Sequence, residues 1–173
     1  MRKQIAFLLC LCLLLPLWGC NTNQPDAPRE PVRFFYPRTT DTIDFTSPDG
    51  AITYENREGA GYTGNFPYLL NLYLRGPVDQ TLSNPFPAAT SLVELQVYGS
   101  YAFVTLSDSF AQLSGMELTT ACACLTLTVT TLTKADYVCL RTQTQPLDGK
   151  EQLTLHAKDF LFTDDTTTPN TDN

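Results

Sequence analysis

Residues 92–110 read LVELQVYGSYAFVTLSDSF, and this stretch decides the fold. Val93, Leu95 and Val97 alternate with Leu92, Glu94, Gln96 and Tyr98, the two-residue period of a half-buried strand. Gly99-Ser100 follows, and glycine at the first central position of a two-residue loop suits a type II′ hairpin turn. That turn sets Val97 opposite Ala102, Leu95 opposite Val104 and Val93 opposite Leu106, so that six apolar side chains share one buried face. The other face pairs Tyr98 with Tyr101, Gln96 with Phe103 and Glu94 with Thr105, and is amphipathic.

Beyond the hairpin, Ser114-Gly115-Met116-Glu117 has the form of a capping box. Leu118, Ala121, Cys122, Leu125, Val129 and Leu132 then recur at spacings of three and four, the apolar stripe of a helix. Seven β-branched threonines in the same stretch argue for a strand. Each costs at most about 0.7 kcal/mol in helix propensity, against roughly 1.5–3 kcal/mol for each large side chain the stripe buries. Burial wins, and a helix is expected, with Leu127 left pointing away from the stripe. Tyr137–Arg141 reads as a strand, residues 146–150 as a turn, and Gln152–Ala157 with Phe160–Phe162 as edge-strand material. Residues 164–173 are a polar tail with the composition of disorder.

Before the hairpin, Val32–Tyr36 is a strand closed by Pro37. Ile43 and Phe45 mark a short second candidate, and Ser47–Gly50 turns the chain into a strand over Ala51–Arg57. Asn65 is an N-cap, Phe66, Leu69, Leu70, Tyr73 and Leu74 lie at helical spacing, and Gly76-Pro77 ends the run. Residues 77–91 form a loop carrying three prolines. The order of elements gives an α+β class: a mixed or antiparallel β-sheet with a central hairpin and two helices packed on one face.

The chain opens with Arg2-Lys3 and an apolar run from Ile5 to Trp18. Fourteen residues at 1.5 Å rise are too few to cross roughly 30 Å of hydrocarbon, so residues 1–19 read as an export signal. The run ends Leu17-Trp18-Gly19-Cys20, which resembles a bacterial lipobox and implies lipid attachment at Cys20. Residues 20–31 are then a lipidated cysteine with a flexible linker, and residues 32–163 form one domain. The formal charge of −7 and sequence pI near 4.5, with no Lys/Arg cluster, exclude nucleic acid as a partner.

No constellation of catalytic or metal-binding residues stands out. The one histidine, His156, lies near the C-terminal edge without evident partners for a triad or a zinc site. Cys122 and Cys124 point about 200° apart on a helix and cannot chelate together. With Cys139 they read as buried free thiols, a Cys122–Cys139 disulfide being the rival arrangement. Asp41, Asp44 and Asp49 lack calcium-loop spacing, and Glu55 with Glu58 is the one pair that imitates a glycosidase site. Asp108 is expected to satisfy local N–H groups after the strand. Tyr98, Tyr101 and Phe103 form an aromatic cluster on the less apolar hairpin face, an interaction face or else a second packed face.

Several stretches together resemble the GerMN domain of sporulation and spore germination lipoproteins: VRFFYP, LYLRGP, Pro85–Ser91, the hairpin with LSDSF, the long helix and YVCLR, over about residues 32–142. The resemblance implies a fold like ring-building domains and a non-catalytic module without a cofactor. That module sits on the outer face of the cytoplasmic membrane, with envelope proteins or further copies of itself as partners. The alternatives are a cell-wall-binding accessory domain or weak cell-wall hydrolase, and a lipoprotein receptor for a small ligand.

Overall fold

A computed structural model describes residues 31–39, 50–58 and 64–160. The export signal, Cys20 and its linker, the candidate strand at Ile43 and Phe45, Asp41, Asp44, Asp49 and the tail lie outside these residues. Six strands and two α-helices give the α+β class read from the sequence. β1 (Val32–Pro37) and β2 (Ile52–Arg57) pair antiparallel as a separate two-stranded sheet. Helix α1 (Phe66–Leu74) follows. Then β3 (Leu92–Tyr98), β4 (Tyr101–Leu106), helix α2 (Gly115–Thr133), β5 (Tyr137–Thr142) and β6 (Leu153–His156) complete the chain. The larger sheet runs β3-β4-β5-β6, with β4 and β5 parallel and the other pairs antiparallel. The hairpin therefore occupies one side of the sheet, not its middle, because β5 adds only to β4.

The hairpin register agrees with the expected one from Tyr98↔Tyr101 to Glu94↔Thr105. Gly99 has φ +55° while Ser100 is not in the positive region, which is the type II′ arrangement. One pair differs. A bulge between Leu92 and Glu94 sets Leu92, not Val93, opposite Leu106, and Val93 is 46% exposed. The burial of the shared face is also unequal. Ala102, Val104 and Leu106 are fully buried, whereas Val97 is 37% exposed, because β3 is an edge strand.

Both helices lie on the inner face of the large sheet. Asn65 caps α1 by accepting from Tyr68 N–H at 3.3 Å, and Leu69, Leu70, Tyr73 and Leu74 are buried. Gly76 ends it at φ +97°, where a Cβ would lie 2.9 Å from the Asn84 side chain. Helix α2 buries Leu118, Ala121, Cys122, Leu125 and Val129 against Ala102, Val104, Val138 and Leu140. Ser114 is its N-cap residue, but no capping box forms: Gly115 turns the backbone to φ +53° and the Ser114 hydroxyl bonds no cap N–H. Leu127 finds its place in a second cluster with Ile52, Ala123, Cys124, Phe35 and Phe160, so α2 is packed on two sides. Its length and apolarity would suit a membrane span, yet residues 121–126 are all buried within the domain.

The threonines of α2 are absorbed by local bonds. Thr119, Thr130 and Thr133 donate to carbonyls four residues back, and Thr128 Oγ1 accepts Phe35 N–H at 3.0 Å, tying β1 to the helix. Tyr36 and Tyr73 lock β1 to α1 by exchange: Tyr36 Oη donates to Tyr73 O at 2.7 Å and Tyr73 Oη to Phe35 O at 2.9 Å. Burial pushes both phenols above their usual range.

Candidate functional site

The alternation of the strands leaves the outer face of the large sheet as three rows. The first is Tyr98–Tyr101–Tyr137–His156, the second Gln96–Phe103–Cys139–Thr154, and the third Glu94–Thr105–Arg141. Tyr98 is 67% exposed, Tyr101 43%, Phe103 39% and Tyr137 37%. The three residues singled out in the sequence are thus brought together on a solvent-facing surface. Tyr137 and His156 extend them across all four strands. Sequence reading missed these two because their place beside Tyr101 depends on the parallel β4–β5 pairing, 36 residues apart in the chain. The alternation of Tyr137 with the buried Val138 was the only local signal.

Ring geometry decides what this row can hold. Tyr101 and Tyr137 stack at 5.1 Å between centroids and 18° between planes, and Tyr101 and Phe103 lie 6.4 Å and 28° apart. Near-parallel rings 5.1 Å apart cannot lie side by side flat on a sheet, so this pair stands up and the two rings cover each other's faces. Tyr98 meets Phe103 at 6.4 Å edge-on, and Tyr137 meets His156 edge-on at 5.0 Å. The Tyr98, Tyr101 and Tyr137 hydroxyls have no hydrogen bond among the described residues. Arg141 closes the third row, donating from Nε to Thr105 Oγ1 at 3.0 Å and lying 3.7 Å from Glu94.

The other candidate residues have structural partners. Glu55 is held by Arg57 Nε at 2.6 Å and accepts Val78 N–H at 3.0 Å and Asp79 N–H at 3.1 Å. Arg57 in turn donates to Gly76 O at 2.8 Å, so this pair joins β2 to the end of α1. Glu58 is exposed on the rim of an open groove lined also by Tyr54, Asn56 and Val78. His156 caps a 3-10 turn at Ala157–Asp159, its Nδ1 accepting Lys158 N–H at 2.9 Å while Asp159 accepts His156 N–H. Cys122, Cys124 and Cys139 are buried free thiols, so the alternative Cys122–Cys139 bridge is not formed. Burial raises the Cys122 thiol to about 12 and pushes Cys124 up as well. Among the described residues no group of three or more His, Cys, Asp or Glu side chains is placed to hold a metal.

Asp108 does more than the local work expected of it. Its Oδ1 accepts Thr144 N–H at 2.8 Å and Gln145 N–H at 3.2 Å, and its Oδ2 accepts the Thr144 hydroxyl at 2.6 Å. These bonds hold its carboxyl below the usual carboxylate range. Ser107 reaches the other way, donating to Ala89 O at 3.1 Å and accepting Ser91 N–H at 3.0 Å. The Ser-Asp pair after β4 thus pins the loops before β3 and after β5.

No family model matches the sequence, and no curated protein matches it significantly. Solved structures do match in fold. The tandem GerMN domains of the sporulation protein GerM from Bacillus subtilis superpose with a TM-score of 0.53 at 12% identity, over 73% of this chain. The chain spans 45% of that tandem structure. The first GerMN domain of the same protein gives 0.50 at 13% identity, over 75% of this chain and 98% of its own. A Clostridium perfringens protein gives 0.48 at 15% identity, over 75% and 88%. The fold is GerMN-like.

Proposed function

We propose that this chain is a lipid-anchored extracytoplasmic binding module, without catalysis of its own, acting in the envelope assemblies of sporulation or spore germination. The observation that carries the reading is the row of exposed aromatic side chains across the outer sheet face, on a GerMN-like fold whose inner face is fully occupied by both helices. Aromatic residues are enriched where proteins meet, and here their hydroxyls are left for a partner. A sugar-binding platform needs open ring faces; the stacked Tyr101–Tyr137 pair favours a protein over a wall glycan. Non-catalytic action is further supported by Glu55, whose carboxylate is already spent on Arg57 and two backbone N–H groups. The anchor is supported by Leu17-Trp18-Gly19-Cys20.

Two experiments test this. Cys20→Ala is expected to move the protein from membrane to medium or to leave an unprocessed precursor. Equal labelling of that variant and the unmutated chain by a fatty-acid analogue would remove the anchor. Tyr98→Ser/Tyr101→Ser/Phe103→Ser is expected to abolish partner binding in sporulating cells while leaving the circular dichroism spectrum intact. Peptidoglycan or ester turnover that disappears with Glu55→Gln would instead mean an enzyme.

A further inference from the structure

We infer that the occupant of the outer sheet face is a second copy of this chain, docked sheet on sheet about a two-fold axis parallel to the strands. This rests on reading that face as an interaction surface, and goes further by naming what covers it.

Charge is the first argument. The chain carries −7, so two copies repel wherever acidic surface meets acidic surface. The formal charges in the three outer rows are Glu94 and Arg141, which pair at 3.7 Å and cancel. His156 accepts Lys158 N–H at Nδ1, an arrangement that neutral imidazole makes. The face can therefore meet its own copy without setting like charges opposite each other.

Register is the second argument. A two-fold along the strands lays β3 over the partner's β6 and β4 over the partner's β5, and each row falls on itself in reverse order. Tyr101 then meets the partner's Tyr137, and Tyr98 meets the partner's His156. Tyr98 Oη and His156 Nε2 have no hydrogen bond among the described residues, and each supplies what the other lacks. Upright rings on both copies would fill the layer about 10 Å thick between aligned sheets.

Size is the third. Four strands about 4.8 Å apart and some five residues along each give a footprint of roughly 300 Å² in projection. That lies at the low end of specific interfaces, which bury about 800 Å² of accessible surface per partner. A weak, reversible dimer follows, favoured where a tether crowds copies onto one membrane.

The register gives a sharp test. Tyr98 and His156 of one chain are separated by three strand spacings, about 14 Å, too far for the roughly 7 Å Cα limit of a disulfide. The full chain carrying Tyr98→Cys/His156→Cys can therefore form this bond only between copies. Mild oxidation in membranes is expected to give at least tenfold more covalent dimer than Tyr98→Cys or His156→Cys alone, with an unchanged melting curve. Adding Tyr101→Ser/Tyr137→Ser should abolish it. Equal dimer in single and double variants, or dimer indifferent to the added serines, would overturn the proposal. So would a detergent-solubilised unmutated chain that sediments as a monomer at every concentration. If no dimer forms while Tyr98→Ser/Tyr101→Ser/Phe103→Ser still abolishes binding of a different protein, the second copy is wrong and the interaction face stands. If neither effect is seen, both fall.

Discussion

The two strands of one hairpin, β3 and β4, carry the same alternating pattern and end in different environments. β4 has strand neighbours on both sides and helix α2 above it, and its Ala102, Val104 and Leu106 are fully buried. β3 has a neighbour on one side only, its inner face is covered mainly by α1, and Val93 and Val97 remain substantially exposed. The bulge at Val93 bends the start of β3 and breaks the row of ladder groups that an open edge would offer to other strands. Alternation thus tells which side chains share a face. How much of that face is buried depends on what lies beyond the hairpin.

The largest effect that could break this comparison is on β4. Leu106→Ala removes a fully buried side chain and should cost about 2–5 kcal/mol, read from denaturant midpoints at constant slope. Leu95→Ala, half-buried on β3, should cost about 1–2 kcal/mol by the smaller apolar area it takes out of contact. Equal losses for the two would mean that β3 is as enclosed as β4. Val93→Ala at the bulge and Glu94→Ala on the outer face should each stay within about 0.5 kcal/mol, since neither leaves a cavity. A loss above about 2 kcal/mol at Val93 would restore the unbulged register.

The smallest effect concerns the end of β4, which is pinned where the start of β3 is bulged. Asp108 is fully exposed, and its carboxyl is held low first by the Thr144 hydroxyl and then by backbone N–H groups. A depressed folded value means the contribution is present above the unfolded carboxyl's titration near pH 4 and is lost as pH falls through the lower, folded value. The amide resonance of Thr144 is expected to titrate with a midpoint below about pH 4 and to be pH-independent there in Asp108→Asn. Titration that persists unchanged in that variant would assign the loop to another group.

Patterns of short range were legible in the sequence. The alternation of 92–106, the glycine turn, Asn65 and Gly76 at the ends of α1, and the stripe from Leu118 to Val129 each follow from backbone periodicity and residue geometry acting within a few residues. The aromatic side of the hairpin was legible for the same reason. Tertiary structure alone decided what lies far apart in the chain. It put β5 beside β4, and so extended Tyr101 to Tyr137 and His156. It gave Asp108 its partners at Thr144 and Gln145 and gave Leu127 a second cluster around Ile52. It also took the Ser114 box away through the conformation of Gly115. A local pattern specifies a residue's face because φ and ψ repeat along an element. Whether that face meets water, a helix or another strand is set by contacts whose sequence separation no local period records.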